Sequence, residues 1–424
     1  MDVERAKPMT ATPRAAYVIG TFDTKAAELQ YVSALIRATG VPTVRVDVGT
    51  RSAETNLEFP ARAVAACHPG GTAAVLECSD RGQAVTAMTV ALRAFMAGRK
   101  DIAGIIGLGG SGGTALITPA MRDQPLGVPK LMVSTLASGN TAPYVDVSDI
   151  MMLFPVTDIA GLNHLSCAIL GNAAHAMAGM IQHPVPPAQD LKPALGFTMF
   201  GVTTPCVQQV SAELADVFDC QVFHATGTGG RAMEALVSAG MLCGVVDVTT
   251  TEAADYLLGG VCSAGSERFD AIVRTGIPWV GSCGALDMVN FWALDTVPER
   301  YRGRLLHSHN ANVTLMRTTA EELARIGTWI ATKLNASPGP VRWLLPEGGL
   351  SAIDAPGQVF HDPQADAALF AAIEAAFVTS DLHRLVRVPH HINDAAFAQL
   401  VATHVREVVP VAAATGKQAS GARC

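Results

Sequence analysis

The sequence predicts an α/β fold with two Rossmann-like domains, mostly parallel sheets and a ligand cleft between the domains. Short β-branched runs alternate with helical stretches along most of the 424 residues, the order expected of sheets covered by helices. The candidate strands are apolar on both faces, as parallel strands are when helices cover both sides. The run H-P-V-P-P-A-Q-D-L-K-P at 183–193 holds four prolines, which break a helix and divide the chain.

The two halves repeat this alternation. In the first half we predict strands at 15–20, 42–48, 102–107 and 130–135, and helices at 25–38, 81–97 and 158–182. The second half restarts with the strand-like A-L-G-F-T-M-F-G-V-T-T from Ala194, and further strands are predicted at 219–224, 243–248, 278–282, 303–307 and 341–345. V-I-G-T-F-D-T in the first half is echoed by M-F-G-V-T-T in the second, which either a duplication or chance explains.

The proline-rich run sets the domain boundaries. We predict an N-terminal domain at 15–183, a linker at 184–193 and a C-terminal domain at 194–410. Residues 1–14 and 411–424 are expected to be flexible tails.

Composition excludes several classes of function. The net charge is −7 and no run of Lys and Arg occurs, so we expect no nucleic-acid partner. No uninterrupted apolar stretch of about 18 residues occurs, so we expect no membrane span. The nine cysteines form no C-x-x-C pair, which indicates reduced thiols in the cytoplasm.

The most informative stretch is G-I-I-G-L-G-G-S-G-G-T at 104–114. A strand, a glycine loop and a helix in this order point backbone N–H groups and the helix dipole at an anion. The stretch fits G-x-G-x-x-G, but it lies far into the domain and no acidic residue follows at the distance that a dinucleotide site requires. The sequence therefore predicts a phosphate or carboxylate cradle, with a tight strand-to-helix crossing as the alternative.

Three more loops follow predicted strands. They are G-T-F-D-T-K at 20–25, S-T-L-A-S-G-N-T at 134–141 and A-T-G-T-G-G-R at 225–231. Carboxyl ends of parallel strands meet at one edge of a sheet, where ligands bind, so we expect these loops to contribute to binding. The guanidinium of Arg231 suits a phosphate or a carboxylate.

Four residues are candidates for catalysis. Cys283 in G-S-C-G could be a nucleophile or a core thiol. His307 and His309 share a face of an extended segment, so they could move a proton or hold a substrate; no third ligand is fixed by spacing, and no metal site is assigned. Glu347 lies in P-E-G-G-L-S-A-I-D with Ser351 and Asp354, and Asp287 is a further carboxylate after a strand.

A set of longer motifs carries a family resemblance. They are G-T-F-D-T-K, G-L-G-G-S-G-G-T, V-S-T-L-A-S-G, V-T-D-I-A-G-L-N, T-M-F-G-V-T-T-P-C-V, F-H-A-T-G-T-G-G-R-A-M-E, G-A-L-D-M-V-N-F and N-V-T-L-M-R-T-T. Together, in this order and from about residue 15 to residue 405, they resemble the Tm-1-like family (UPF0261), whose namesake is a plant antiviral resistance protein. The antiviral role is not carried over.

The resemblance implies two Rossmann-like domains, a homodimer or higher homo-oligomer, and ATP, with Mg²⁺, in the N-terminal domain. Because the plant protein has a second, TIM-barrel domain, a separate barrel protein is a possible partner. The residues that the resemblance assigns to the nucleotide are Gly20, Thr21, Asp23, Thr24, Lys25, Gly109, Gly110, Ser111, Gly112, Gly113 and Thr114, with Ser138, Gly139 and Asn140 as an addition.

Three functions remain open. The first is an ATP-binding enzyme that acts on a small carboxylate or sugar acid, with the substrate near the catalytic candidates and Thr226, Gly229, Gly230 and Arg231. The second is a nucleotide-independent hydrolase or lyase that cleaves a C–C bond of a keto or phosphorylated acid. The third is a nucleotide-sensing protein without turnover.

Overall fold

The computed structural model describes residues 14–53, 55–186 and 191–410, which form two compact units that divide at residues 187 and 188. Residues 1–13 and 411–424 of the predicted tails and the centre of the predicted linker lie outside the described residues, whereas Arg14, assigned to the first tail, donates hydrogen bonds to the Ile102 carbonyl. No helix in the described part of the chain is long and apolar enough to cross a membrane.

The first unit is a parallel sheet covered by helices. Its elements are β1 (Ala15–Gly20), α1 (Phe22–Ala38), β2 (Thr43–Asp47), α2 (Ala61–Ala65), α3 (Ala73–Leu76), α4 (Arg81–Ala97), β3 (Ile102–Gly109), α5 (Ser111–Arg122), β4 (Lys130–Ser134), α6 (Ala142–Val145), β5 (Met151–Leu153) and α7 (His164–Gln182). The strand order is β2-β1-β3-β4-β5, and every pair is parallel.

Alternating side chains of the central strand fill two cores. Ile106 and Leu108 of β3 pack with α1 and α7, whereas Ile105 packs with α4 and α5 on the other face. The chain thus turns to opposite faces after β1 and β3, and their carboxyl ends form the topological switch point of the sheet.

The second unit repeats this plan with an addition. Its elements are β6 (Ala194–Met199), α8 (Thr204–Leu214), β7 (Asp219–His224), α9 (Thr228–Ser238), β8 (Gly244–Thr249), α10 (Thr251–Leu258), α11 (Asp270–Thr275), β9 (Trp279–Gly284), β10 (Met288–Phe291), β11 (Leu306–Asn310), β12 (Val313–Arg317), α12 (Ala320–Asn335), β13 (Val341–Pro346), α13 (Pro363–Ala376), β14 (His383–Val388) and α14 (Ala395–Val408), with short 3₁₀ turns at Gly201–Thr203, Leu294–Thr296 and Glu299–Tyr301.

The large sheet of the second unit is parallel, in the order β14-β13-β9-β8-β6-β7, so its switch point lies between β6 and β8. A small antiparallel sheet, β10-β12-β11, is inserted after β9. The predicted α/β fold with mostly parallel sheets is therefore confirmed.

Two predicted elements differ from those observed. The strand predicted at 303–307 begins at Leu306 and lies in the antiparallel sheet. The helix predicted at 158–182 begins at His164, because the Asn163 side chain accepts hydrogen bonds from the N–H groups of Leu165 and Ser166 and so caps it there.

Candidate functional site

A cavity of about 260 Å³ lies at the carboxyl ends of the strands of the first unit. The loops after β1, β2 and β3 and the start of α4 surround it. Its lining comprises Thr21, Asp23, Thr24, Val48, Thr50, Arg51, Arg81, Val85, Gly112 and Leu116. The structure thus brings together the loops 20–25 and 109–114, which the sequence resemblance assigned to one nucleotide.

The backbone of the glycine loop approaches itself closely between β3 and α5. A Cβ at Gly109 would lie 2.8 Å from the carbonyl carbon of Gly113, so only glycine allows this turn. At Gly112, by contrast, a Cβ would meet no atom within 4 Å, which leaves room beside the first turn of α5. Within the described residues, no side chain accepts a hydrogen bond from the N–H groups of Ser111, Gly112 or Gly113.

Asp47 holds two of the loops together. Its Oδ1 accepts hydrogen bonds from the N–H groups of Phe22 (3.0 Å) and Gly49 (2.8 Å). Burial raises the pKa of Asp47, and hydrogen bonds from Ser52, Gly49 and Phe22 oppose that shift. Asp47 therefore positions the loops rather than lining the cavity.

The two arginines give the cavity its positive charge. Arg51 and Arg81 are exposed, and neither forms an ion pair within the described residues. Asp23 contributes one carboxylate, and the hydroxyls of Thr21 and Thr24 are 2.8 Å apart. Guanidinium groups and uncapped helix N–H groups are the donors that proteins use for phosphates.

Several residues assigned to the nucleotide have other contacts. The Lys25 amine donates to the carbonyl of Ile159 at 2.7 Å, so it ties α1 to the segment before α7. Thr114 is buried, and its hydroxyl bonds the Gly110 carbonyl and the Ser134 hydroxyl at 2.8 Å and 2.6 Å. Ser138, Gly139 and Asn140 are exposed in the loop after β4 and do not line the cavity.

The glycine loop of the second unit already holds a carboxylate of the protein. Glu252 Oε1 accepts hydrogen bonds from the N–H groups of Gly227 (2.7 Å) and Gly230 (3.0 Å) at the start of α9. A Cβ at Gly230 would lie 2.1 Å from Glu252 Oε2, and one at Gly229 would lie 1.9 Å from the His224 carbonyl oxygen. These glycines make room for the chain itself, which corrects the expectation that they hold a substrate.

Glu252 belongs to a buried ionic cluster around Arg268. The Arg268 guanidinium donates to Glu252 (2.8 Å), Asp247 (2.8 Å) and Glu234 (3.1 Å). Arg268 is 1% exposed, so the cluster is structural.

The other substrate candidates are separated. Arg231 lines a cavity with Glu234, Arg268 and Arg274, between α9 and α11. Thr226 and His309 instead line a cavity of about 610 Å³ between the large sheet and the antiparallel sheet.

The catalytic candidates do not form one site. Cys283 is fully buried, and burial raises the pKa of its thiol to about 12, so it is a core residue and not an accessible nucleophile. Glu347 is exposed and pairs with Arg387 at 2.7 Å. The His307 ring lies against Phe360, with 6.2 Å between centroids. No group of three or more His, Cys, Asp or Glu in the described residues is placed to hold a metal ion.

The carboxylates noted in the sequence form a second buried cluster. Ser351 donates to Asp287 at 2.8 Å, and Arg317 pairs with Asp366 at 2.9 Å and with Asp354 at 3.5 Å. Burial raises the pKa of Asp287 to about 7, of Asp366 to about 7 and of Asp354 to about 6. One arginine therefore faces three carboxyl groups that favour the protonated form.

Sequence reasoning missed Asp47, Arg51 and Arg81. The first two lie in R-V-D-V-G-T-R, where Asp47 is near the end of a predicted strand and Arg51 follows it, which is the same signal that found the other loops. Arg81 only starts a predicted helix, and nothing local distinguishes it.

These features define a two-domain, doubly wound α/β protein whose first domain has a cavity with two arginines at the carboxyl ends of its strands. The sequence models of an uncharacterised protein family, the UPF0261 N-terminal domain and the UPF0261 C-terminal domain, match residues 14–186 and 192–409. The chain belongs to the UPF0261 family.

Relatives cover nearly the whole chain. A UPF0261 protein of Mesorhizobium japonicum is 58% identical over 386 residues, which are 91% of this chain and 97% of that protein. One of Rhizobium meliloti is 56% identical over 392 residues, or 92% and 98% of the two chains. The ToMV resistance protein Tm-1 of Solanum lycopersicum is 42% identical over 430 residues, covering 96% of this chain and 57% of the tomato protein.

Proposed function

We propose that the first unit binds ATP, with the phosphates at the cavity formed by the loops after β1, β2 and β3. The supporting observation is that the uncapped N–H groups at the start of α5 share one cavity with Arg51 and Arg81. A cradle of this kind satisfies phosphate oxygens from the backbone, and two guanidinium groups offset the charge of a polyphosphate.

Asp23 is the carboxylate in this cavity that could bind Mg²⁺ together with the phosphates. Mg²⁺ needs few protein ligands in nucleotide sites, because phosphates and water complete its octahedron. The metal would neutralise phosphate charge when bound. The chain contributes the N–H groups, the guanidinium groups and one carboxylate.

We do not propose a small acid as the substrate. The glycine loop that would have held the acid takes Glu252 instead, and Arg231 lies in a different cavity from Thr226 and His309. An ATP-linked reaction and nucleotide sensing without turnover both fit the first unit. A homodimer and a separate barrel partner, which the family resemblance implies, stay predictions.

Calorimetric titration with ATP, ADP and a non-hydrolysable analogue, with and without Mg²⁺, tests the proposal. We expect Arg51→Ala and Arg81→Ala each to weaken ATP binding by about tenfold, because each removes a charge-assisted hydrogen bond to phosphate. Arg62→Ala is the matched control, since Arg62 lies on α2 outside the cavity.

Absence of ATP binding to the wild-type protein would refute the proposal, and equal losses in all three variants would show a general charge effect. Phosphate release from bound ATP in single-turnover experiments separates an enzyme from a sensor.

A further inference from the structure

A second cavity of the first unit, with a volume of about 870 Å³, lies at the amino ends of β3, β4 and β5. The loop 125–129 before β4 and the carboxyl end of α7 complete its wall. The proposed nucleotide cavity lies at the carboxyl ends of the strands, so the two cavities are at opposite ends of one sheet. The size is that of a small-molecule site, and neither the proposed nucleotide nor any predicted catalytic group accounts for it.

Aliphatic side chains and methionines form most of the wall. None of them is fully buried, so part of their apolar surface is open to a ligand. Methionine side chains are flexible and adapt to apolar ligands of different shapes. Among the described residues, no Phe, Tyr or Trp lines the cavity, so the wall favours a flexible aliphatic chain over a planar ring. The apolar side chains are those of Leu126, Val128, Met151, Met180, Ile181 and Val185.

Arg14 adds an accessible positive charge to this wall. Its Nε and Nη2 atoms donate to the Ile102 carbonyl at 3.1 Å and 2.8 Å, which holds the guanidinium at the start of β3. The other three N–H groups have no partner within the described residues, and Arg14 forms no ion pair there. The side chain is exposed, so a ligand in the cavity can reach it. A guanidinium with unused donors suits a carboxylate.

The other two charged residues of the wall neutralise each other. The Lys130 amine donates to Asp149 Oδ1, and its side chain is 0% exposed, so a ligand cannot reach it. Asp149 Oδ2 accepts a hydrogen bond from the Gly127 N–H at 2.7 Å, so both oxygens of this carboxylate have donors. In the described part of the chain the lining therefore has two cations, Arg14 and Lys130, and one anion, Asp149, which leaves a net charge of +1. This charge favours an anionic over a cationic ligand.

We propose that this cavity binds a medium-chain aliphatic carboxylate. The carboxylate pairs with Arg14, and the aliphatic chain packs against the apolar wall. Burial of the methylene groups supplies most of the affinity, and Arg14 selects the charge of the head group. The site is independent of the nucleotide site proposed at the other end of the sheet.

Three probes with the same eight-carbon chain test the charge of the head group: octanoate, octanol and octylamine. Binding to the full chain is measured without nucleotide by saturation-transfer NMR titration, below the concentrations at which the probes form micelles. At about pH 8 the carboxylate and the amine are charged and histidine is ordinarily neutral. We expect octanoate to bind about tenfold more tightly than octanol, and octylamine to bind more weakly than octanol, because only octanoate can pair with Arg14.

Variants locate the two parts of the site. Arg14→Gln should abolish the preference for octanoate over octanol and leave octanol binding unchanged, whereas Arg37→Gln, in the last turn of α1 outside the cavity, should preserve the preference. Met151→Gln, at a position that is 49% exposed, should weaken the binding of octanoate and octanol alike by about fivefold, because it removes apolar contact. Leu162→Gln, at a residue that is 42% exposed and does not line the cavity, is its control.

Four results would overturn the proposal. They are absence of octanoate binding, binding of octanol or octylamine as tight as that of octanoate, an unchanged preference in Arg14→Gln, and no effect of Met151→Gln. Displacement of octanoate by ATP would also overturn it, because octanoate would then occupy a nucleotide site. Binding of octanoate by a chain that binds no ATP would refute only the nucleotide proposal and leave this one standing.

Discussion

The glycine-rich loops at 109–114 and 225–231 both lie at the carboxyl edge of a parallel sheet, the first after the central strand β3 and the second after the edge strand β7. Each precedes a helix at the carboxyl edge of its sheet, and each was predicted to hold an anion. In the first unit the helix N–H groups lie beside Arg51, Arg81 and a cavity. In the second unit Glu252 accepts from those N–H groups and Arg268 pairs with Glu252.

The difference lies in the residues that follow another strand of the same sheet, which in each case is separated from the loop's own strand by one strand. After β8 the chain presents Glu252 in the first turn of α10, so the second loop is satisfied from within. After β2 it presents Gly49, Thr50 and Arg51, and Asp47, the last residue of β2, accepts hydrogen bonds from the N–H groups of Phe22 and Gly49. A helix N-terminus is thus a ligand site only where the fold leaves its donors unused.

The largest expected effect is on stability, and it comes from removing the buried charge of Glu252. Glu252→Gln should lower the free energy of unfolding of the second unit by about 3 kcal/mol, because it leaves part of the buried Arg268 charge uncompensated. Tryptophan fluorescence during urea unfolding measures this unit alone, since all four tryptophans, at 279, 292, 329 and 343, lie in it. Glu267→Gln, at an exposed neighbour, is the control. A loss no larger than that of the control would show that the second loop does not depend on Glu252.

A bulky side chain in the glycine loop at 109–114 is expected to have the next largest effect, which is on ATP affinity. Gly112→Val should weaken ATP binding on the order of 100-fold, or about 2.7 kcal/mol, because the side chain enters the cavity beside the helix N–H groups. The fold should tolerate it, since a Cβ there has no atom within 4 Å. Gly179→Val on α7, where a Cβ is equally free of contacts, is the control. Calorimetry that finds ATP bound normally by the Gly112 variant would remove this loop from the proposed site.

The smallest expected effect is a dependence of stability on pH in the second unit. Asp287, Asp354 and Asp366 have pKa values of about 7, 6 and 7 when folded, above the ordinary value of about 4 when unfolded. The folded state therefore binds these protons more tightly, and stability is lost as pH rises from about 4 through 7.

Fluorescence-detected melting should give a midpoint roughly 2–4 °C higher at about pH 5.5 than at about pH 8. Asp366→Asn should reduce this difference, whereas Asp381→Asn, at an exposed position, should not. An unchanged difference in the Asp366 variant would mean that other groups carry the pH dependence.

Periodicity predicted most of the parallel strands because most of them are short apolar runs rich in β-branched residues. The predicted strands 15–20 and 219–224 coincide with β1 and β7, and the helix 81–97 coincides with α4. The antiparallel sheet was the least predictable part. Its strands are short, and β11 carries polar residues (L-H-S-H-N) that have no strand periodicity of their own.

Only those parts of the candidate site that directly follow a predicted strand could be predicted from the sequence. The loop at 20–25 and the glycine loop were found because both follow apolar strands. The hydrogen bonds from the second loop to Glu252 could not be predicted. Glu252 is 22 residues from Gly230 in sequence, and only the folded structure brings its carboxylate to the Gly230 N–H. The role of Cys283 was equally hidden, since burial of its thiol depends on tertiary packing.

Two hydrogen bonds of α1 offer a way to detect movement of the proposed nucleotide site. Lys25 donates to the Ile159 carbonyl, and the Glu28 carboxylate accepts from the Gly161 N–H. The helix that begins in the 20–25 loop therefore controls whether the Gly161 amide is protected from solvent. Hydrogen–deuterium exchange at Gly161, some distance along the chain from the cavity, would register any displacement of α1 when a ligand binds, without a label and without a change to the site.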